Sequence, residues 1–85
     1  MSTRRHELRM PELDLPGVPI LVSNWLVEVG SEITEGDRLL EIVAGSISID
    51  LPAPASGTLA ETHVEEDDQL EVGQLLAVVS SEDEI

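Results

Sequence analysis

The sequence predicts an all-β fold, a flattened sandwich or barrel built from two sheets, and three observations carry that prediction. Short apolar segments of strand length recur with Gly, Pro, Asp and Ser between them: 19–29, 39–44, 47–51, 57–64 and 75–79. None shows a sustained helical period with caps, so helix is expected to be minor or missing. The chain also repeats itself. "EGDRLLEIV" at 35–43 superimposes on "VGQLLAVVS" at 72–80, with Gly36 on Gly73 and Leu39 on Leu76, a shift of 37 residues. The same shift lays Val27 on Val64 and Ile33 on Leu70. Each half is too small to bury its own apolar face, so the halves are stable only when packed together about a pseudo-twofold axis.

At 85 residues the chain is one small domain, with no room for a large catalytic cleft, and a binding, carrier or interaction module is expected over an enzyme. Residues 1–9 read as a flexible basic tail, 10–80 as the folded body and 81–85 as an acidic tail. The start MSTRRHELRM lacks the apolar core of a secretory signal, and the longest apolar run, 75–79, is too short to span a bilayer. A cytoplasmic protein is the expectation. Cysteine is absent, which removes disulfides, thiolate chemistry and cysteine-ligated metal.

Eighteen carboxylates stand against four basic residues, a formal net charge of −14. All four are arginines, and three of them (Arg4, Arg5, Arg9) lie in the first ten residues, so the rest of the chain has Arg38 alone. Nucleic acid and anionic membrane are not expected as partners, because phosphate binding relies on Lys and Arg. An acidic surface of this kind is either simple solvation or a steering face for a basic protein partner. The chain contains no lysine.

The segment Glu41–Pro54, EIVAGSISIDLPAP, reads as a hairpin. With Gly45 and Ser46 as a two-residue loop, the cross-strand pairs are Ala44 with Ile47, Val43 with Ser48, Ile42 with Ile49, Glu41 with Asp50 and Leu40 with Leu51. One face then holds Leu40, Ile42, Ala44, Ile47, Ile49 and Leu51, and the other holds Glu41, Val43, Ser48 and Asp50. A one-residue slip would destroy that separation, which fixes the register. Glycine at the first central position fits a type II′ turn. Glu41 facing Asp50 is a like-charge pair that Arg38 or a partner must offset.

Several motifs in sequence resemble the lipoyl and biotinyl carrier domains. They are Met10-Pro11-Glu12-Leu13, Trp25-Leu26-Val27, Gly30, Glu35-Gly36-Asp37, Pro52-x-Pro54-x-x-Gly57 and Gly73-Gln74-x-Leu76-Ala77, and the match runs without a gap from about residue 10 to residue 80. The resemblance implies two four-stranded antiparallel sheets in a barrel-sandwich hybrid, with the cofactor lysine at the apex of a hairpin. Lipoyl domains read Glu-Thr-Asp-Lys-Ala there and biotinyl domains Ala-Met-Lys-Met, whereas this chain reads Val43-Ala44-Gly45-Ser46-Ile47. Ser46 stands at the lysine position, and the acidic residues before the lysine, which in the family help the attaching enzymes recognise the turn, are replaced by Val43 and Gly45. The expectation is a kept fold and a lost modification site, with neither lipoyl nor biotinyl attached.

Ser46 reads as a plain turn residue. An acyl-carrier serine sits at a helix start in an Asp-Ser-Leu context, and a catalytic serine needs a base oriented by a third group. The only histidines are His6, in the presumed tail, and His63, in the opposite half of the repeat and read as a surface strand residue. The run Glu65-Glu66-Asp67-Asp68 reads as a solvated turn and not as a metal site, because Ca²⁺ ligands must wrap the ion. Trp25, the one aromatic residue, reads as partly buried packing. By the resemblance, the loop 14–19 (DLPGVP) replaces a glycine-rich loop beside the lysine turn that helps choose the partner enzyme. Leu15, Val18 and Val43 are expected to be exposed there as a small apolar contact patch.

These readings converge on the expectation of a lipoyl-like module that is not an enzyme, binds no cofactor and contacts a protein partner through a basic surface on a 2-oxo acid dehydrogenase or carboxylase type of assembly. Two alternatives stay open at this point: a carrier with another attachment chemistry, for instance on Ser46, and a subunit of an enzyme complex whose site another chain completes.

Overall fold

A computed structural model describes residues 3–82. Eight strands follow in order: β1 Thr3–Arg9, β2 Ile20–Trp25, β3 Glu32–Ile33, β4 Arg38–Ala44, β5 Ile47–Pro52, β6 Gly57–Thr62, β7 Gln69–Leu70 and β8 Leu75–Glu82. There is no helix among the described residues. The strands form two four-stranded sheets, β1-β8-β6-β3 and β5-β4-β2-β7, every pairing antiparallel. Neither sheet closes into a barrel, so each keeps two edges.

The internal repeat is visible in the backbone. A shift of 37 residues carries β2 onto β6 and β3 onto β7, and it carries the irregularity between Val22 and Asn24 onto that between Leu59 and Glu61. It also matches hydrogen bonds that the segments between strands make with the strands. Gly30 N–H donates to Leu59 O at 2.8 Å and Asp67 N–H to Val22 O at 2.9 Å; Leu26 N–H donates to Leu39 O at 2.8 Å and His63 N–H to Leu76 O at 2.9 Å. Asp67 holds a left-handed φ of 71°, the place that Gly30 fills with φ 97° in the first half. Asp is among the few side chains that tolerate that region.

The two proline-containing motifs are structural equivalents as well. Met10 donates to Gln74 O at 2.9 Å and accepts from Gly73 N–H at 2.8 Å; Ala53 donates to Asp37 O at 2.7 Å and accepts from Gly36 N–H at 3.0 Å. Met10 and Ala53 are buried in the core, so each motif pins a loop of one half onto the turn of the other. Between the sheets, Leu39, Leu40, Ile42, Leu59, Leu76, Ala77 and Val79 are fully buried and form the centre of the core. That two-sided burial is what the halves lack when separate.

Residues 3–9 depart from the expected flexible tail. They form β1, in register with β8 from Thr3 opposite Glu82 to Leu8 opposite Ala77. The sequence TRRHELR hides this because only Leu8 is buried, while the arginines stay exposed on an edge strand where charge costs little. Arg5 reaches across the sheet to Glu61 at 2.7 Å, and His63 meets the other oxygen of that carboxylate at 2.8 Å. Val78, fully buried but outside the central core cluster, lies in register between Glu7 and Glu61 on that face. His6, assigned from sequence to the tail, instead shares a 2.8 Å hydrogen bond between its Nε2 and Ser81 Oγ. Of the presumed acidic tail 81–85, Ser81 and Glu82 complete β8, and 83–85 lie outside the described residues.

Candidate functional site: the tip of the β4–β5 hairpin

The β4–β5 register is the one the sequence specifies, from Leu40 opposite Leu51 to Ala44 opposite Ile47. Gly45 has φ 62° and Ser46 is not among the positive-φ residues. A type I′ turn needs positive φ at both positions, so the loop is of the II′ kind. Ser46 sits exposed at its second position. The like-charge pair beneath is compensated on both sides: Ser23 Oγ donates to Glu41 at 2.8 Å, and Arg38 lies 3.7 Å from Asp50. Arg38 is mostly exposed, so this contact offsets repulsion more than it adds stability.

The loop before β2 closes over the same tip. Leu15 O accepts from Val18 N–H at 3.2 Å, and with Pro16 and Gly17 (φ 76°) between them the segment is a type II turn. A Cβ built on Gly45 would lie 3.8 Å from Val18 Cγ1, which places Val18 directly beside the turn. Between this loop and β7 runs an open groove of about 460 Å³, with Leu70 and Ile20 in its wall, Val72 at its side, and Glu12 and Asp14 among its polar residues.

The apolar patch differs in composition from the one expected. Val18 is exposed, at 37 %, but Leu15 is half-buried and packs on the core, and Val43 is half-buried on the outward face of β4. Leu15 turns inward because the Pro16-Gly17 turn folds the chain back over the sandwich end. Ile47, which the alternation of the hairpin assigns to the inner face, is 47 % exposed. It is the first residue past the tip and lies on the edge strand, whereas its cross-strand partner Ala44, one strand further in, is buried. Its position beside the loop was the available signal.

The other candidates stand apart from the tip. Trp25 is half-buried, packs on the core and donates from Nε1 to Val64 O at 2.9 Å, a packing residue as expected. His63 is exposed just past β6. Glu65 and Asp68 close a turn, with Asp68 Oδ2 accepting from Glu65 N–H at 2.8 Å. Among the described residues no three His, Asp or Glu side chains gather as a metal site. Neither histidine approaches Ser46: His6 bonds Ser81 and His63 bonds Glu61. Among the described residues, charge is perturbed on the face of β6. Hydrogen bonds from Arg5 and then His63 hold the Glu61 carboxyl below its usual range, and the same carboxylate raises the Arg5 guanidinium.

An open two-sheet sandwich with an internal twofold and a glycine-led hairpin tip is a domain of the lipoyl type. The chain belongs to the biotin and lipoyl attachment family: the family model described as "Biotin-requiring enzyme" matches residues 6–79. It is 40 % identical over 74 residues to the dihydrolipoyllysine-residue acetyltransferase component of the acetoin cleaving system of Pseudomonas putida, covering 87 % of this chain and 20 % of that protein. It is 31 % identical over 77 residues to the dihydrolipoyllysine-residue acetyltransferase component of the pyruvate dehydrogenase complex of Corynebacterium glutamicum, covering 91 % of this chain and 11 % of that one. A third relative is the dihydrolipoyllysine-residue succinyltransferase component of the 2-oxoglutarate dehydrogenase complex of Staphylococcus saprophyticus, 30 % identical over 73 residues, 86 % of this chain and 17 % of that protein. The chain thus spans a fifth or less of the length of these relatives.

Proposed function

We propose that this chain is a non-catalytic member of its family that carries neither lipoyl nor biotinyl and serves as a protein-interaction or scaffolding module. The observation that carries this reading is Ser46 at the hairpin apex in a sequence without lysine. Family carriers form an amide on a lysine amine. A serine hydroxyl at neutral pH is a weak nucleophile unless a neighbouring base takes its proton, and the two histidines are engaged elsewhere. Val43 and Gly45 also lack the carboxylates that ligases read before the lysine.

The partner we propose is a component of a multienzyme assembly of the 2-oxo acid dehydrogenase or carboxylase type, in the cytoplasm, meeting the domain through a basic surface. Three features support this. The relatives are named as components of such dehydrogenase complexes or of the acetoin cleaving system. The net charge of −14 favours encounter with a cationic surface and disfavours nucleic acid or anionic membrane. Val18 and Ile47 expose apolar surface at the tip, flanked by half-buried Leu15 and Val43. Among the described residues no helix is long and apolar enough to cross a membrane.

Recovery of the protein from its native host tests the proposal. The intact mass should equal that of the unmodified chain, and dehydrogenase- or carboxylase-type subunits should co-purify. A lipoyl or biotinyl increment would overturn the non-carrier reading, and recovery without any such subunit would overturn the assignment of partner.

A further inference from the structure

The two sheets leave four edges, and three of them are closed to another strand by familiar devices. β3 and β7 are two residues long. β1 carries Arg4, Arg5 and Arg9 and has an irregularity between Leu8 and Arg9. β5 is different. It runs six residues, has no proline before Pro52, and carries a single charge, Asp50.

The hairpin register says which backbone groups of β5 face outward. In a two-residue hairpin the pair flanking the loop, Ala44 with Ile47, is hydrogen-bonded, and bonded and non-bonded pairs then alternate. Ile47, Ile49 and Leu51 therefore spend their amides on β4, and Ser48 and Asp50 turn theirs to the outside. Among the described residues those two have no backbone partner in any turn or loop. The side chains follow the same alternation. Ile47 and Ile49 lie on the core-facing side of the edge, exposed and half-buried, and Ser48 and Asp50 lie on the outer side beside Glu41.

We propose that β5 is a docking edge for an extended, cationic segment of another protein, added as a fifth strand to the β5-β4-β2-β7 sheet. The segment alternates apolar residues, set against Ile47 and Ile49, with lysine or arginine set against Ser48 and Asp50, where it meets the Asp50 carboxylate in place of the exposed Arg38 3.7 Å away. Charge selects this occupant over a second copy of the chain: pairing β5 with itself would bring together two bodies of net charge −14, whereas a basic strand is attracted by that field. Main-chain bonds supply affinity and the alternating side chains supply specificity. The inference rests on the reading of the domain as an interaction module and adds the chemistry of its partner.

The test is amide hydrogen exchange on the intact chain with an acetylated peptide of alternating valine and lysine, matched in length to β5. Protection of the Ser48 and Asp50 amides should rise on adding the peptide, and N-methylation of alternate peptide residues should abolish it. Asp50→Arg should weaken this peptide by about fivefold or more and should improve binding of a valine–glutamate peptide. The proposal is overturned by no added protection, by protection at β1 instead, or by equal binding of the two peptides to the wild type. Protection that grows with protein concentration alone would also overturn it, because a second copy would then be the occupant. The readout lies at Ser48 and Asp50, so its failure leaves the non-carrier reading intact, and that reading stands or falls on the mass of the chain.

Discussion

Single residues carry more of this structure than their chemistry suggests, and Gly57 is the clearest. A Cβ there would lie 2.2 Å from the Ser80 carbonyl oxygen, because β6 presses against β8 at this point. Gly57→Ala should therefore cost about 2–3 kcal/mol in chemical denaturation, the scale of overpacking against backbone that cannot yield. Gly17→Ala meets no atom within 4 Å and is opposed only by its φ of 76°, which predicts a smaller loss of about 1 kcal/mol. Glu61 makes a separate prediction. Its folded carboxyl sits below the unfolded value near 4.5, so its contribution is present above that value and is lost as pH falls through the folded one. Arg5, raised from an already high value, stays charged throughout that window. Glu61→Gln should flatten the slope of Tm against pH between about 5 and 3, leaving other carboxylates to supply the remainder. At the tip, Val18→Ser together with Ile47→Thr should barely change Tm, whereas Leu15→Ser should lower stability by about 1–3 kcal/mol because Leu15 packs on the core.

At the scale of elements, legibility in the sequence followed apolar alternation. The β4–β5 hairpin has six apolar residues on one face and a glycine that names its turn, so register and turn type were both available. β6 and β8 were readable instead as short apolar segments of strand length between turn residues. β1 was not, because an edge strand buries one side chain out of seven and its arginines imitate a tail. The two-residue strands β3 and β7 are below the length at which alternation exists; only the 37-residue repeat, Ile33 on Leu70, marked them. The candidate site was half legible. Ser46 at the apex follows from register alone, but the exposure of Ile47 and the inward turn of Leu15 depend on the edge position of β5 and on the type II turn at Pro16-Gly17, neither of which alternation encodes. Since β1 is part of the sheet, deletion of residues 1–9 should destabilise the domain markedly in thermal melts, and a melt unchanged by the deletion would return those residues to the status of a tail.

For the whole molecule, charge and symmetry act against each other. The twofold packs two insufficient halves around one core, and the surface of that core carries a net charge of −14. The ion pairs of Arg5, Arg9 and Arg38, each with an exposed guanidinium, offset little of it. Self-repulsion of this size is screened over a Debye length of about 10 Å at 0.1 M salt, so Tm should rise by a few degrees from low to moderate sodium chloride. A flat or falling curve would mean that the acids are compensated locally. The central claim, a carrier fold without a carrier site, is tested most directly by mass spectrometry after incubation with a lipoate ligase and, separately, a biotin ligase. Ser46→Lys alone supplies the amine and should be modified poorly. The triple variant Val43→Glu, Gly45→Asp, Ser46→Lys should be modified better, at a cost of about 1 kcal/mol for Asp in the left-handed position of Gly45, where the Cβ has room. The wild-type chain should gain no mass with either enzyme; a lipoyl or biotinyl increment on it would contradict the account, because a group other than lysine would then be accepting the cofactor.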